Sequence, residues 1–514
     1  MFLSSISMVN FFALGGIFLS ASLFLAYSKR HAIVSPNISN YLLANQKVNA
    51  ADFSGTFTAS SVSLGGNYLF FITCHQKYGY LMLIGPMMYV LTQFLLLLVV
   101  KNLAKRKLEY STFPDIWYLI FPSVKIARGL AIIAAAGSIL AFFMEVHVGS
   151  VILSILLPNT AMFKTLSFAC IGLVVLAYAY KGGYGAVVKT DVWQTTLMVT
   201  SSLILVYFGI QIPAKTPLDS TTNIFSTLFS FGAKTDLTLW VFISWAIIIN
   251  VCSCLTQVIV WQRMSAITSP QEALNGLYRG SWKFVVVLWA PVMSFMLLYA
   301  KGYDFNSLEQ LFQLLATNNG VITYIIYPLV VVGFAAALFS SADTNLIATI
   351  YSICDKNTFA PKLKKMTQEG RHKEIKNYLT WVYCFIIILT TGLHYLLQSE
   401  VRKWFLPIMY ALWSVITMTA PLAAYALYRL NANMPALNIT QKQENRMIQF
   451  IGLGLSVILI GIVTGISTGR ELYSQIATLT ALSITAVGLF LAVSHPSRRR
   501  FFSRNPFFQS EIIE

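Results

Sequence analysis

Charge is scarce in this chain. Asp, Glu, Lys and Arg make up 11% of the 514 residues, and hydrophobic residues make up 56%. Soluble domains carry about 25% charged residues, so a fold wetted on all sides is excluded. Acids are scarcer still, 19 in all counting Asp and Glu, and any acid inside an apolar run needs a reason. Loops long enough for a second domain are missing; the largest fall at 212–236 and 355–377. Short alternating segments of the kind that build a barrel are also missing. No HExxH zinc motif, nucleophile elbow or phosphate loop occurs, and the scattered His make no metal set, so no enzyme activity is expected. The cysteines, at 74, 170, 252, 254, 354 and 384, fall in or near apolar runs; Cys252-Ser253-Cys254 has the wrong spacing for zinc and reads as structural.

What the chain has is apolar runs of about twenty residues, each long enough for a ~30 Å hydrocarbon core. The expected fold class is an all-α polytopic membrane protein with about 13 transmembrane helices. A leading helix is expected near 10–28. Ten core helices follow near 47–71, 78–100, 122–157, 164–180, 187–211, 237–262, 281–300, 321–354, 378–397 and 403–429. Two trailing helices are expected near 447–467 and 474–494. The N-terminus lacks a positive region before its apolar run, so the leading helix is expected to stay as an uncleaved span.

The net charge of +17 follows the membrane and needs no nucleic acid. With the N-terminus outside and the C-terminus cytoplasmic, only Lys77, Lys164, Lys215, Lys234, Lys301, Arg402, Lys403 and Arg470 of the 36 Lys and Arg fall outside. That asymmetry is the positive-inside rule. The expected setting is the inner or plasma membrane, with lipid as the surrounding partner. The sequence carries no signal of oligomeric state.

The segment Phe334 to Leu346, Phe-Ala-Ala-Ala-Leu-Phe-Ser-Ser-Ala-Asp-Thr-Asn-Leu, sets two adjacent hydroxyls and a carboxylate inside the eighth core helix. An acid at the centre of a membrane helix costs roughly 2.5–3.5 kcal/mol on insertion scales. Clustered Ser and Thr oxygens are what a dehydrated alkali cation needs, because hard cations take oxygen ligands. Core helix 1 carries Thr56-Phe-Thr-Ala-Ser-Ser-Val-Ser-Leu-Gly-Gly-Asn67, and core helix 6, five spans later, carries Asn250-Val-Cys-Ser-Cys-Leu-Thr-Gln257. Weak helices at matching places in two halves point to a midplane site in an inverted-repeat carrier. The alternative reading is that these small residues only let helices pack closely.

Three segments carry a resemblance. Tyr41-Leu-Leu-Ala-Asn-Gln46 looks like a Tyr-Phe-Leu-Ala-Gly-Arg lead into core helix 1, departing at Asn45-Gln46. Gly182-Gly-Tyr-Gly-Ala-Val-Val-Lys-Thr-Asp-Val-Trp-Gln194 matches a Gly-Gly…Thr-Asp…Gln signature, the most specific of the three. Phe339-Ser-Ser-Ala-Asp-Thr-Asn-Leu346 is similar to a Met-Ser-Thr-Ala-Asp-Ser segment, and Thr256-Gln-Val-Ile-Val-Trp-Gln-Arg263 is a weaker fourth match. Together they resemble the sodium:solute symporter family, which includes bacterial proline and animal sodium–glucose carriers.

That resemblance implies a LeuT-like five-plus-five inverted repeat and alternating access, with sodium as coupling ion and no other cofactor. It implies a sodium site between core helices 1 and 8, with backbone carbonyls of Ala59, Val62 and Ala337 and hydroxyls of Ser340 and Ser341. In some relatives a second sodium is shared between the signature aspartate and core helix 8; here Asp191, Ser340, Asp343 and Thr344 would form that site. Two other readings stay open: Asp191 as a plain helix N-cap, and Asp343 as a protonated acid bonded to a neighbouring helix. Ser61 stands where some relatives carry an acid.

The solute is expected between core helices 1, 3, 6, 7 and 10, with Ser63, Asn67, Glu145, Trp245, Ser253, Thr256 and Trp413 as lining. Glu145 and His147, at i and i+2, cannot share a helix face, so at most one of them faces a cavity. The expected division is 1–46 leading helix and linker, 47–211 first repeat, 212–236 outside loop, 237–429 second repeat, 430–494 trailing helices and 495–514 basic tail. The expected function is sodium-coupled import of a small polar organic solute. Proton coupling is one alternative, and a transporter-like sensor working through a partner chain is another.

Overall fold

The computed structural model describes residues 8–30, 38–103, 113–157, 160–215, 237–305, 307–317, 323–354, 368–397, 401–431, 437 and 439–493. The expected outside loop past residue 215, the segment 355–367 and the tail 495–514 lie outside the described residues. Among the described residues, regular structure is helical apart from one isolated bridge, Val48 to Ile267. Nine helices among the described residues are long and apolar enough to cross a membrane. Shorter apolar helices at Asn10–Ala26 and Leu81–Leu97 correspond to the expected leading span and core helix 2. The protein is an integral membrane protein.

Core helix 1 is broken, as its composition predicts. Its first half, Ala50–Ser61, begins on Asn49, whose side chain accepts from the Asp52 N–H. It ends at Val62, which is extended (φ −105°, ψ 107°). A wide π-helical turn, Leu64–Leu69, then leads into the second half, Phe70–Tyr78. Core helix 6 breaks at Gln257 (φ −65°, ψ 118°), between Leu237–Thr256 and Val258–Ala266. Both interruptions fall inside or at the edge of the segments singled out in the sequence.

Core helices 4 and 5 follow each other without a loop in one run, Ala161–Gln211, whose 51 residues would reach about 76 Å if straight; a kink divides it into the two expected helices. Gly183 interrupts it with φ +58° and ψ −162°. A Cβ there would come within 2.7 Å of the Tyr41 ring and carbonyl, so the glycine serves both the backbone turn and the close approach. Two of the resembling segments thus touch each other: the Tyr41 hydroxyl donates to the Ala179 carbonyl at 2.8 Å and lies 2.9 Å from the Tyr383 hydroxyl. Asn45, where the lead into core helix 1 departs from Gly-Arg, has φ +55°, a conformation Asn tolerates better than most residues.

Core helices 7 and 9 are longer than their apolar windows. Core helix 7 spans Pro270–Ala300, with Pro in its first turn and the Ser269 side chain accepting from the Glu272 N–H. Core helix 9 spans Gln368–Leu397. Hydropathy marks only the part of a helix that suits hydrocarbon, and caps mark where the helix itself begins. At the centre lies core helix 8, Thr323–Ile353, buried against core helix 3 (Val124–Leu156), the Ala161–Gln211 run and the leading helix Met8–Arg30.

Candidate ion and solute site

The two segments expected to share a cation lie against each other. Because Val62 has left helical geometry, its carbonyl is free of the ladder, and the Ser341 hydroxyl donates to it at 2.8 Å. Ser340, one residue earlier, donates instead to Asp191 Oδ1 at 2.5 Å. Ala59 and Ala337 are buried on the same two helices. Oxygen atoms gathered from an unwound backbone and from hydroxyls suit a monovalent cation.

Asp191 is fully buried and lies eight residues past the Gly183 kink, well inside core helix 5 rather than at its first turn. This overturns the N-cap reading. Asp191 Oδ2 accepts from the Thr56 hydroxyl on core helix 1, while Oδ1 takes Ser340 on core helix 8. One carboxylate therefore ties three helices. Asp343 lies beside this group but is held differently: its Oδ2 accepts from the Tyr178 hydroxyl at 2.5 Å. Asp343 Oδ1, Thr344 Oγ1 and both amide atoms of Gln194 have no protein partner among the described residues. Buried polar atoms are nearly always paired, so this group of unmet atoms is unusual, although neither cavity described below is lined by it. Thr56 and Gln194 fall in segments the sequence singles out, with no role assigned to them there, and Tyr178 is missed; Tyr178 and Asp343 are 165 residues apart, a pairing no local pattern encodes.

A cavity of about 90 Å³ opens beside the two breaks. Ser63, Asn67, Glu145, Thr256 and Trp413 line it, with Ser60, Ser61, Gln257 and Ser341. Two expected lining residues are elsewhere. Trp245 lines an adjoining, more apolar cavity with Phe70 and Phe242, and its indole N–H reaches Thr478. Ser253 is fully buried within the first half of core helix 6, donating to the Asn250 carbonyl, and lines neither cavity. The helix stays regular until Gln257, so only its end reaches the cavity. Core helices 2 and 8 contribute Tyr89 and Asn345, and the short helix Phe113–Ile120 contributes Trp117; core helix 7 contributes nothing to this cavity.

Glu145 and His147 diverge as their spacing requires. Glu145 turns to the break in core helix 1, where Oε1 accepts from the Ser63 hydroxyl and Oε2 from the Leu64 N–H. His147 faces the other way, its Nδ1 2.9 Å from Nδ1 of buried His394, against the Phe168 ring. His394, on core helix 9, carried no signal in the sequence.

The start of core helix 1 is strapped to its neighbours. Lys189 pairs with Asp52 at 2.6 Å, and Val48 exchanges backbone hydrogen bonds with Ala266 and Thr268. Arg263 donates to the Ser60 hydroxyl. These straps join core helix 1 to core helix 5 and to the end of core helix 6.

No protein-family model matches the chain, and no curated protein matches it by sequence. Solved structures do match it in fold. A Na+-coupled sialic acid symporter, in its substrate-bound outward-open state with a novel Na+ site, aligns over 94% of this chain and 98% of its own, with a TM-score of 0.67 at 15% identity. Mhp1, a nucleobase-cation-symport-1 family transporter in a closed conformation with bromovinylhydantoin bound, aligns over 90% and 95%, with a TM-score of 0.50 at 11% identity. A mutant of the Eremococcus coleocola manganese transporter aligns over 87% and 94%, with a TM-score of 0.51 at 14% identity. Identities this low carry the fold alone. The fold is the all-α, polytopic, LeuT-like five-plus-five inverted repeat, with one leading and two trailing helices.

Proposed function

We propose that this chain is a secondary active symporter that couples sodium entry to import of a small polar organic solute by alternating access. The observation that carries the reading is the junction of the Val62 carbonyl with the Ser341 hydroxyl, made where core helix 1 has lost its helical ladder. Ala59, Val62, Ala337, Ser340 and Ser341 form the sodium site in this reading. In this reading the Ser341 hydroxyl turns its hydrogen away, and its oxygen and the Val62 carbonyl both coordinate sodium, clamping core helix 1 to core helix 8. The fold neighbour described as a Na+-coupled symporter supports sodium as the coupling ion.

A second cation, at Asp191, Ser340, Asp343 and Thr344, is the companion proposal, supported by the orphaned oxygens there. Two carboxylates in one desolvated cluster favour a positive charge between them. The solute occupies the cavity between the breaks, touching Ser63, Asn67, Glu145, Thr256 and Trp413. Trp245 belongs to a neighbouring seal, and Ser253 to helix packing. The proposed orientation keeps the N-terminus outside, with the repeats at 47–211 and 237–429. A membrane potential then adds roughly 2.3 kcal/mol per charge per 100 mV to inward movement. Proton coupling is the second reading, favoured by the Asp343 carboxyl group held against Tyr178.

The test is uptake of a solute panel into proteoliposomes under imposed sodium or proton gradients. Sodium-driven uptake is expected; uptake driven equally well without sodium would remove sodium from the mechanism.

A further inference from the structure

We propose that the solute carries a cationic amine and that Glu145 is the residue that receives it. This inference rests on the reading of the cavity as the solute site and deepens it.

In a broken membrane helix, the freed N-terminus of the second half is the natural seat for an anionic substrate group, because unsatisfied N–H groups and the helix dipole point there. Here that seat is taken. Leu64 opens the π-helical turn that leads into the second half of core helix 1, and its N–H donates to Glu145 Oε2 at 3.1 Å. The Ser63 hydroxyl donates to Oε1 of the same carboxylate, and Ser63 Oγ also caps the Gly66 N–H at 2.6 Å. The chain has supplied its own anion from core helix 3. A solute carboxylate in this place would meet a buried like charge.

The remaining polar lining points to the same conclusion. Hydroxyl hydrogens are spent on the protein: Ser60 on the Thr56 carbonyl, Ser61 on Phe57, Thr256 on Cys252 and Ser341 on Val62. Tyr89 likewise donates to the Ser61 carbonyl. A hydroxyl whose hydrogen is committed offers a ligand only lone pairs. The hydroxyls therefore present acceptors around one carboxylate, beside the amides of Asn67, Gln257 and Asn345, and the rings of Tyr89, Trp117 and Trp413 also line the cavity. Carboxylate, lone pairs and aromatic faces are the chemistry that holds an organic ammonium. Arg263 stands behind Ser60 and does not line the cavity. Trp117 keeps an indole N–H without a partner among the described residues, which suits an acceptor oxygen elsewhere on the same solute.

The experiment uses the purified full-length chain and five probes: ethanolamine, choline, proline, glucose and pyruvate. Binding is read by thermal stabilisation, with and without sodium. Ethanolamine or choline is expected to stabilise best and pyruvate not at all. Glu145→Gln is expected to weaken amine binding by at least about tenfold, while Glu145→Asp, which keeps the charge, retains the amine preference should the Gln variant fold poorly. Preference for pyruvate or glucose, a panel in which neither amine binds, or amine binding unchanged in Glu145→Gln overturns the proposal. Amine binding that ignores sodium upholds it and sinks the sodium reading instead; sodium-dependent binding of a carboxylate alone does the reverse.

Discussion

Ser341 on core helix 8 gives its hydroxyl hydrogen to the carbonyl of Val62 on core helix 1, across 279 residues of chain. The bond exists because Val62 is extended; a helical Val62 would have an intrahelical partner for that carbonyl. Ser340→Ala combined with Ser341→Ala is therefore expected to weaken sodium binding by tenfold or more while the chain still inserts. Sodium titration of solute uptake measures this, and an unchanged half-saturation would remove both hydroxyls from the site.

Asp191 accepts hydroxyls from core helices 1 and 8 together. Asp191→Asn keeps the shape but loses the charge, so sodium-stimulated uptake is expected to fall at least tenfold. Asp343→Asn separates the two carboxylates. If the second cation exists, the charge moved per solute drops by about one in a current-to-flux measurement. An unchanged ratio would leave Asp343 as a structural partner of Tyr178.

The pair His147 and His394 shares one Nδ1 to Nδ1 contact at 2.9 Å, so one ring donates and the other accepts. Replacing either by Leu leaves a buried imidazole nitrogen unmet, at a cost of about 1–3 kcal/mol. Replacing both is expected to cost less than the sum of the single changes. A double-mutant cycle on unfolding in detergent reads the difference, and strict additivity would show that the contact is energetically empty.

Gly183→Ala meets both a positive φ and the Tyr41 ring and carbonyl. Strain of that kind costs about 1–3 kcal/mol, before any clash is relieved. Gly129→Ala, in core helix 3 with open space around it, is expected to be neutral or stabilising by up to about 1 kcal/mol. Melting midpoints of the two variants should move in opposite directions or differ clearly; equal shifts would refute the role assigned to Gly183.

Membrane class, span positions and the two weak helices follow from the sequence alone, because hydrocarbon length and the cost of bare backbone act locally along the chain. Core helix 1 breaks at Val62 within its Ser and Gly run, and core helix 6 breaks at Gln257 at the end of its polar stretch. The divergence of Glu145 and His147 is equally local, a matter of helical period. Helix packing decided the partners. It set Tyr178 against Asp343 and His394 against His147, brought Glu145 to the freed Leu64 N–H, and kept Ser253 and Trp245 out of the cavity. Periodicity tells which side chains share a face, but the face a neighbour presents depends on contacts between segments far apart in the chain, and only the assembled bundle specifies those.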